Sequence, residues 1–147
     1  MNADTSSLVV VDTNVLIAAT DRSRTAHDSS LKFLNEDQRR LAVTPQIARE
    51  YLAVSTRPAS ANGFGLSAEA AVANLNQFLL DMELLAEGVG STSMLAELVV
   101  THATVGKQTH DANVVAVALA NGADTVVTSN TRHFARFSDL IAVEELR

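Results

Sequence analysis

The sequence predicts an α/β fold: three α/β/α layers on a mostly parallel central sheet of four to five strands. Three observations lead there. Leu8-Val9-Val10-Val11 is apolar without alternation, the pattern of a strand buried on both faces, and such strands belong to parallel sheets. Short apolar runs of that kind alternate along the chain with longer segments of helical periodicity. The first run also ends on a carboxylate, Asp12, followed by Thr13 and Asn14, which puts an acid at the edge where open α/β sheets build their sites.

The elements follow in order. A short helix is expected over 15–19, then a polar loop, Thr20-Asp21-Arg22-Ser23-Arg24, at the same edge as Asp12. Residues 26–35 carry Leu31, Phe33 and Leu34 at helical spacing, and Leu41-Ala42-Val43 reads as the second strand. Thr44-Pro45 marks a helix start, with Thr44 as N-cap and Pro45 in the first helical position. That helix carries Ile47, Tyr51, Leu52 and Val54 on its apolar side and Glu50 near its middle. It should stop before Arg57-Pro58, because the residue preceding proline avoids helical geometry.

Residues 59–66, with Asn62-Gly63 and Gly65, form the most loop-like segment. Ser67 is expected to cap a helix reaching about Leu80, with Val72, Leu75, Phe78 and Leu79 inward. The third strand is expected over 82–86. Ser91 or Ser93 should cap the next helix, through Leu95, Leu98 and Val99 to His102. After Gly106-Lys107-Gln108-Thr109 a helix begins at His110-Asp111. It is apolar nearly all round and ends on Asn121-Gly122, a C-cap pattern. Residues 124–128 make the fourth strand and 140–143 a final edge strand. There is no internal repeat and no linker, so residues 1–147 are expected to form one domain.

Composition narrows the chemistry. Apolar residues make up 47% of the 147 and charged ones 19%, as in ordinary globular proteins. The absence of cysteine excludes disulfides, thiolate metal sites and Cys nucleophiles. No run approaches the roughly 18–20 apolar residues of a membrane span. Met1-Asn2-Ala3-Asp4 lacks the basic start of a signal peptide, so a cytoplasmic protein is expected. A net charge of −6 disfavours broad electrostatic binding to nucleic acid, yet it suits a cleft that gathers carboxylates around a cation.

If strands one, two and four are parallel, Asp12, Glu50 and Asn130 lie toward one edge, and Asp111 joins them if its helix starts there. Converging carboxylates repel one another, and a hard divalent ion relieves that cost. Mg²⁺ and Mn²⁺ take oxygen ligands from few protein carboxylates plus substrate phosphate, so phosphodiester hydrolysis suits the set best. Taken singly, each acid has an ordinary explanation. Asp12 can cap a helix, Glu50 can be a solvated helical glutamate, and Asp111 can complement a helix dipole. His110 reads more readily as a capping or packed residue than as a proton carrier.

Four stretches occur together: Val9-Val10-Val11-Asp12-Thr13-Asn14-Val15-Leu16, Pro45-Gln46-Ile47-Ala48-Arg49-Glu50-Tyr51, His110-Asp111-Ala112-Asn113-Val114-Val115-Ala116 and Val127-Thr128-Ser129-Asn130-Thr131-Arg132-His133-Phe134. In this order they resemble a PIN domain, and the length is similar to the VapC-type toxins of bacterial toxin–antitoxin pairs. The resemblance implies an endoribonuclease dependent on Mg²⁺ or Mn²⁺. It also implies a homodimer, possible higher toxin–antitoxin assemblies, and a cognate antitoxin whose C-terminal segment covers the cleft. It places Asp12, Glu50 and Asp111 as metal-binding acids and Asn130 where many members carry a fourth acid. Thr13 and Thr128 fall at small hydroxyl positions beside them. Arg22, Arg24, Arg49 and Arg132 are candidates for RNA contact at the cleft mouth, and read equally as solvated charges.

Two other functions compete. A PIN-like module that binds RNA or protein without catalysis would have lost its acids; three are retained here, although Asn130 keeps that reading open. A haloacid-dehalogenase-like phosphatase needs a second Asp two residues after the first. That position is Asn14, and only Lys32 and Lys107 are available for its phosphate-binding lysine.

Overall fold

The computed structural model describes residues 7–146, so the reading of residues 1–4 lies outside the described residues. Five strands form one sheet in the order β3-β2-β1-β4-β5, and every neighbouring pair is parallel. They are β1 (Leu8–Val11), β2 (Arg40–Val43), β3 (Glu83–Leu84), β4 (Thr125–Thr128) and β5 (Ala142–Glu145). β1 and β4, the two wholly buried strands, hold adjacent places, with Val10 opposite Val126 and Val11 opposite Val127. The unalternating apolar runs read from the sequence are thus the middle of a covered parallel sheet.

Among the described residues six α-helices surround it: α1 (Thr13–Thr20), α2 (His27–Glu36), α3 (Pro45–Thr56), α4 (Ala68–Leu79), α5 (Val89–Thr101) and α6 (Gln108–Ala120). They pack in two groups. α1 contacts α2 and α3, and α3 contacts α4, while α5 lies along α6. Right-handed crossovers explain the division. Moving outward from β1 to β2 and β3 carries the first four helices over one face, and the return across the sheet to β4 carries α5 and α6 over the other. The reversal leaves a crevice at the carboxyl ends of β1 and β4.

Most local signals act as read. Thr44 Oγ1 accepts from the Ile47 amide (3.2 Å), with Pro45 opening α3. α3 ends at Thr56, immediately before Arg57-Pro58. Ser67 Oγ accepts from the Ala70 amide (3.1 Å) at the head of α4. Beyond the end of α6, Gly122 takes φ +81°, a left-handed conformation that favours glycine.

Several expectations are corrected. Gly88, not Ser91 or Ser93, is the N-cap of α5; Ser91 sits one turn inside and its Oγ accepts from the Gly88 amide (2.9 Å). α6 starts two residues early, at Gln108, because the Gln108 side chain accepts from the Val105 amide (3.0 Å) and closes the turn. The third strand shrinks to Glu83–Leu84 at the sheet edge. The last strand begins at Ala142 rather than Leu140, since the Leu140 and Ile141 amides both turn back to the Phe137 carbonyl. Val72 is 45% exposed, and Ala71 with Leu75 forms the buried row of α4 instead. No helix among the described residues is long and apolar enough to cross a membrane.

This difference in burial is measurable. Leu75→Ala should cost about 2–4 kcal/mol in urea unfolding, whereas Val72→Ala should stay within about 0.5 kcal/mol of the unmodified chain.

Candidate active site

Asp12 stands where the sheet ends and α1 begins. Its amide still donates to the Val127 carbonyl (2.9 Å), completing the β1–β4 ladder. Its side chain turns onto the next element: Oδ1 accepts from the Thr13 amide (2.8 Å), the capping bond of α1. Oδ2 accepts from Thr128 Oγ1 (2.9 Å) and Asn14 Nδ2 (3.1 Å). Asp12 as a residue is 8% exposed, and its carboxylate lies inside a ring of donors contributed by β4 and α1. Asn14 closes that ring, since its Nδ2 also reaches Thr128 Oγ1 (3.1 Å) and its Oδ1 accepts from the Ser129 amide (3.1 Å).

Glu50 approaches from α3. Thr13 Oγ1 donates to its Oε2 (2.6 Å) and Gln46 Nε2 to its Oε1 (3.0 Å). Asp111, the fourth residue of α6, comes from the opposite helix group. All three acids line one open cleft of about 420 Å³ at the carboxyl edge of the sheet. Ile17, Ala53 and Val54 supply its apolar wall, and the Arg57 guanidinium and the His133 imidazole complete its lining.

Burial pushes the Asp12 carboxyl above the ordinary aspartate range, with the charges of Glu50 and Asp111 adding to the rise. The bonds from Thr128 and the Thr13 amide work against it. Asp111 is raised for the same first reason, burial, and by Glu50, while His133, His110 and Arg136 favour its charged form. Among the described residues no three histidine or carboxylate side chains form a closed ligand group by themselves. The donor set nevertheless fits a hard divalent cation. It consists of oxygens, and the burial and like-charge repulsion that raise these acids are what a cation offsets. Mg²⁺ in particular binds through one or two carboxylates with water and phosphate filling the rest of its shell.

The other candidates fall as follows. Thr13 and Thr128 bond directly to the acids. Asn130 is outside the cleft lining: its amide N–H bonds to Thr128 Oγ1 (3.0 Å) and its side-chain amide lies 3.1 Å from His133 Nε2. None of the four arginines expected at the mouth lines this cleft. Arg24 pairs with Asp21 (3.2 Å) beside a neighbouring concavity that shares Asn14, Arg22 borders a different one, and Arg49 and Arg132 are exposed. Arg57 takes the position instead. The sequence marked it only as a helix stop, yet it lies seven residues, two helical turns, beyond Glu50 on the same face. Gln46, one turn before Glu50, carried the same signal.

A family model for the PIN domain matches residues 9–140, and the chain belongs to the PIN-domain family. Comparison with curated proteins finds no match. Solved structures share the fold. Rickettsia felis VapBC2 bound to a promoter DNA fragment is 19% identical, covers 95% of this chain and 99% of its own, and gives a TM-score of 0.69. Mycobacterium tuberculosis VapC20, a toxin that cleaves the sarcin-ricin loop, is 16% identical over 86% of this chain and 93% of its own, with a TM-score of 0.67. VapBC-5 from the same organism, of the VapBC family of toxin–antitoxin systems, is 22% identical over 96% and 98%, with a TM-score of 0.57.

A raised carboxyl destabilises the fold once it ionises, because the folded state then binds more protons than the unfolded one. Asp111→Asn should therefore raise the thermal midpoint of the metal-free protein at neutral pH. The gain should shrink as pH falls from the raised value toward the ordinary aspartate range, which paired melting curves across pH will check.

Proposed function

We propose that the chain, as one PIN-like domain over residues 1–147, is a metal-dependent endoribonuclease that hydrolyses RNA phosphodiester bonds and serves as the toxin of a toxin–antitoxin pair. The observation that carries this reading is the convergence of Asp12, Glu50 and Asp111, from three separate elements, on one cleft that the Arg57 guanidinium also lines. Asp12, Asp111 and Glu50 would hold Mg²⁺ or Mn²⁺, which when bound neutralises charge developing on the phosphodiester and makes water a better nucleophile.

The chain's own residues do the rest. Thr128, Asn14 and the Thr13 amide hold the Asp12 carboxylate in one orientation. Thr13 fixes Glu50 from the side of α1. Arg57 and His133 offer positive and hydrogen-bonding groups to an RNA phosphate at the rim. Asn130 contributes an uncharged amide beside His133, and Arg22, Arg24, Arg49 and Arg132 would meet RNA only beyond the acid cleft. The VapBC toxin–antitoxin neighbours support an antitoxin partner. An antitoxin C-terminal segment over the cleft, a homodimer or larger assembly, and action in the cytoplasm complete the proposal.

With Mg²⁺ or Mn²⁺, the antitoxin-free protein should cut total RNA into discrete fragments that vanish with EDTA. Asp111→Asn should lower the rate by about 100-fold or more. Absence of both cleavage and Mn²⁺ binding would overturn the enzyme reading in favour of a PIN-like binding module. Arg57→Ala should weaken RNA binding about threefold to tenfold and reduce its salt dependence by about one phosphate contact, measured by anisotropy of a labelled single strand.

A further inference from the structure

Gln46, the second residue of α3, is 5% exposed, and its side chain reaches from the helix that carries Glu50 to α6, which carries Asp111. Its Nε2 donates both to Glu50 Oε1 (3.0 Å) and to the His110 carbonyl (3.0 Å). Its Oε1 accepts from Asn113 Nδ2 (2.8 Å), and the same Asn113 amide group donates to Glu87 Oε1 (2.8 Å). His110 and Asn113 flank Asp111 in the first turns of α6. One side-chain amide therefore spans from the helix of one acid to the helix of the other, with both of its donor hydrogens committed.

The two oxygens of Glu50 are held from opposite sides, Oε2 by Thr13 of α1 and Oε1 by Gln46. Among the described residues no other hydrogen bond holds Glu50 Oε1. Without Gln46, a half-buried glutamate repelled by Asp111 and Asp12 would gain rotamer freedom by swinging toward water. Ordering it again would be charged against cation binding. We propose that Gln46, itself held by Asn113, is a positioning residue that fixes how Glu50 faces Asp111, so that the acids are preset to receive a divalent cation. This rests on the metallonuclease reading above.

A purely structural Gln46 would only satisfy buried polar groups between α3 and α6, and its loss would lower stability without touching the folded protein's affinity for metal. Gln46→Met keeps the volume and removes the amide. Mn²⁺ titration of the metal-free protein by calorimetry should show affinity lowered about tenfold or more, as for partners that orient metal ligands elsewhere. RNA cleavage should lose kcat with KM little changed. Asn113→Leu, which leaves Gln46 and Glu50 in place and removes the anchor together with the exposed bond to Glu87, should shift Mn²⁺ affinity in the same direction by a smaller factor, and it carries the test if Gln46→Met does not fold. Wild-type Mn²⁺ affinity in the folded variants overturns the proposal alone. A wild-type protein that binds no Mn²⁺ overturns the metallonuclease reading and this proposal together.

Discussion

A carboxylate buried at the end of a central strand must be given donors, and much of the surrounding architecture follows from how Asp12 receives them. One donor comes from the first amide of α1, one from a hydroxyl at the end of β4, and one from an asparagine in the first turn. A buried acid without those bonds would be among the costliest groups in the molecule. With them it couples β1, β4 and α1 at one point. The ordinary role of Asp12 as a helix cap and its place in the cleft are the same geometry: the cap bond fixes the side chain that the cleft presents.

Glu50 and Asp111 depend on that arrangement for their meaning. Each sits near the start of its helix: α3 starts at the carboxyl edge because it leaves β2 there, and α6 because it must lead the chain back to the amino end of β4. α3 follows β2 directly, so Glu50 reaches the cleft from one helix group. α6 comes from the other group, after the chain has crossed from β3, so Asp111 arrives from the far side. The Gln46 amide bridges the two groups where they meet.

The outer parts of the structure are less constrained. β3 has two exposed residues and β5 begins later than its apolar run, since edge strands bury one face and tolerate shifts that central strands do not. The segment over 59–66 is more ordered than its composition suggests. It holds a 3₁₀ turn at Ala59–Ala61, a left-handed Asn62, and Gly63 packed so closely on the Arg57 backbone that a Cβ has no room. This packing holds the residues that follow α3 beside the rim of the cleft.

Local chemistry alone determined a good deal: the buried β1 and β4, the Thr44-Pro45 start and Arg57-Pro58 stop of α3, the Ser67 cap and the glycine after α6. These signals act over one to four residues, within the reach of a hydrogen bond, a φ restriction or a side-chain period. The order of the acids along the chain was equally readable, because a parallel sheet assigns strand ends to a common edge. Tertiary structure decided which side of α4 is covered, so that Val72 faces water and Ala71 the core. It also decided which cation borders the acids, Arg57 rather than Arg22, Arg24, Arg49 or Arg132, and turned Asn130 toward His133. Each of those outcomes depends on the separation between elements far apart in sequence, a distance that no residue's own preferences encode.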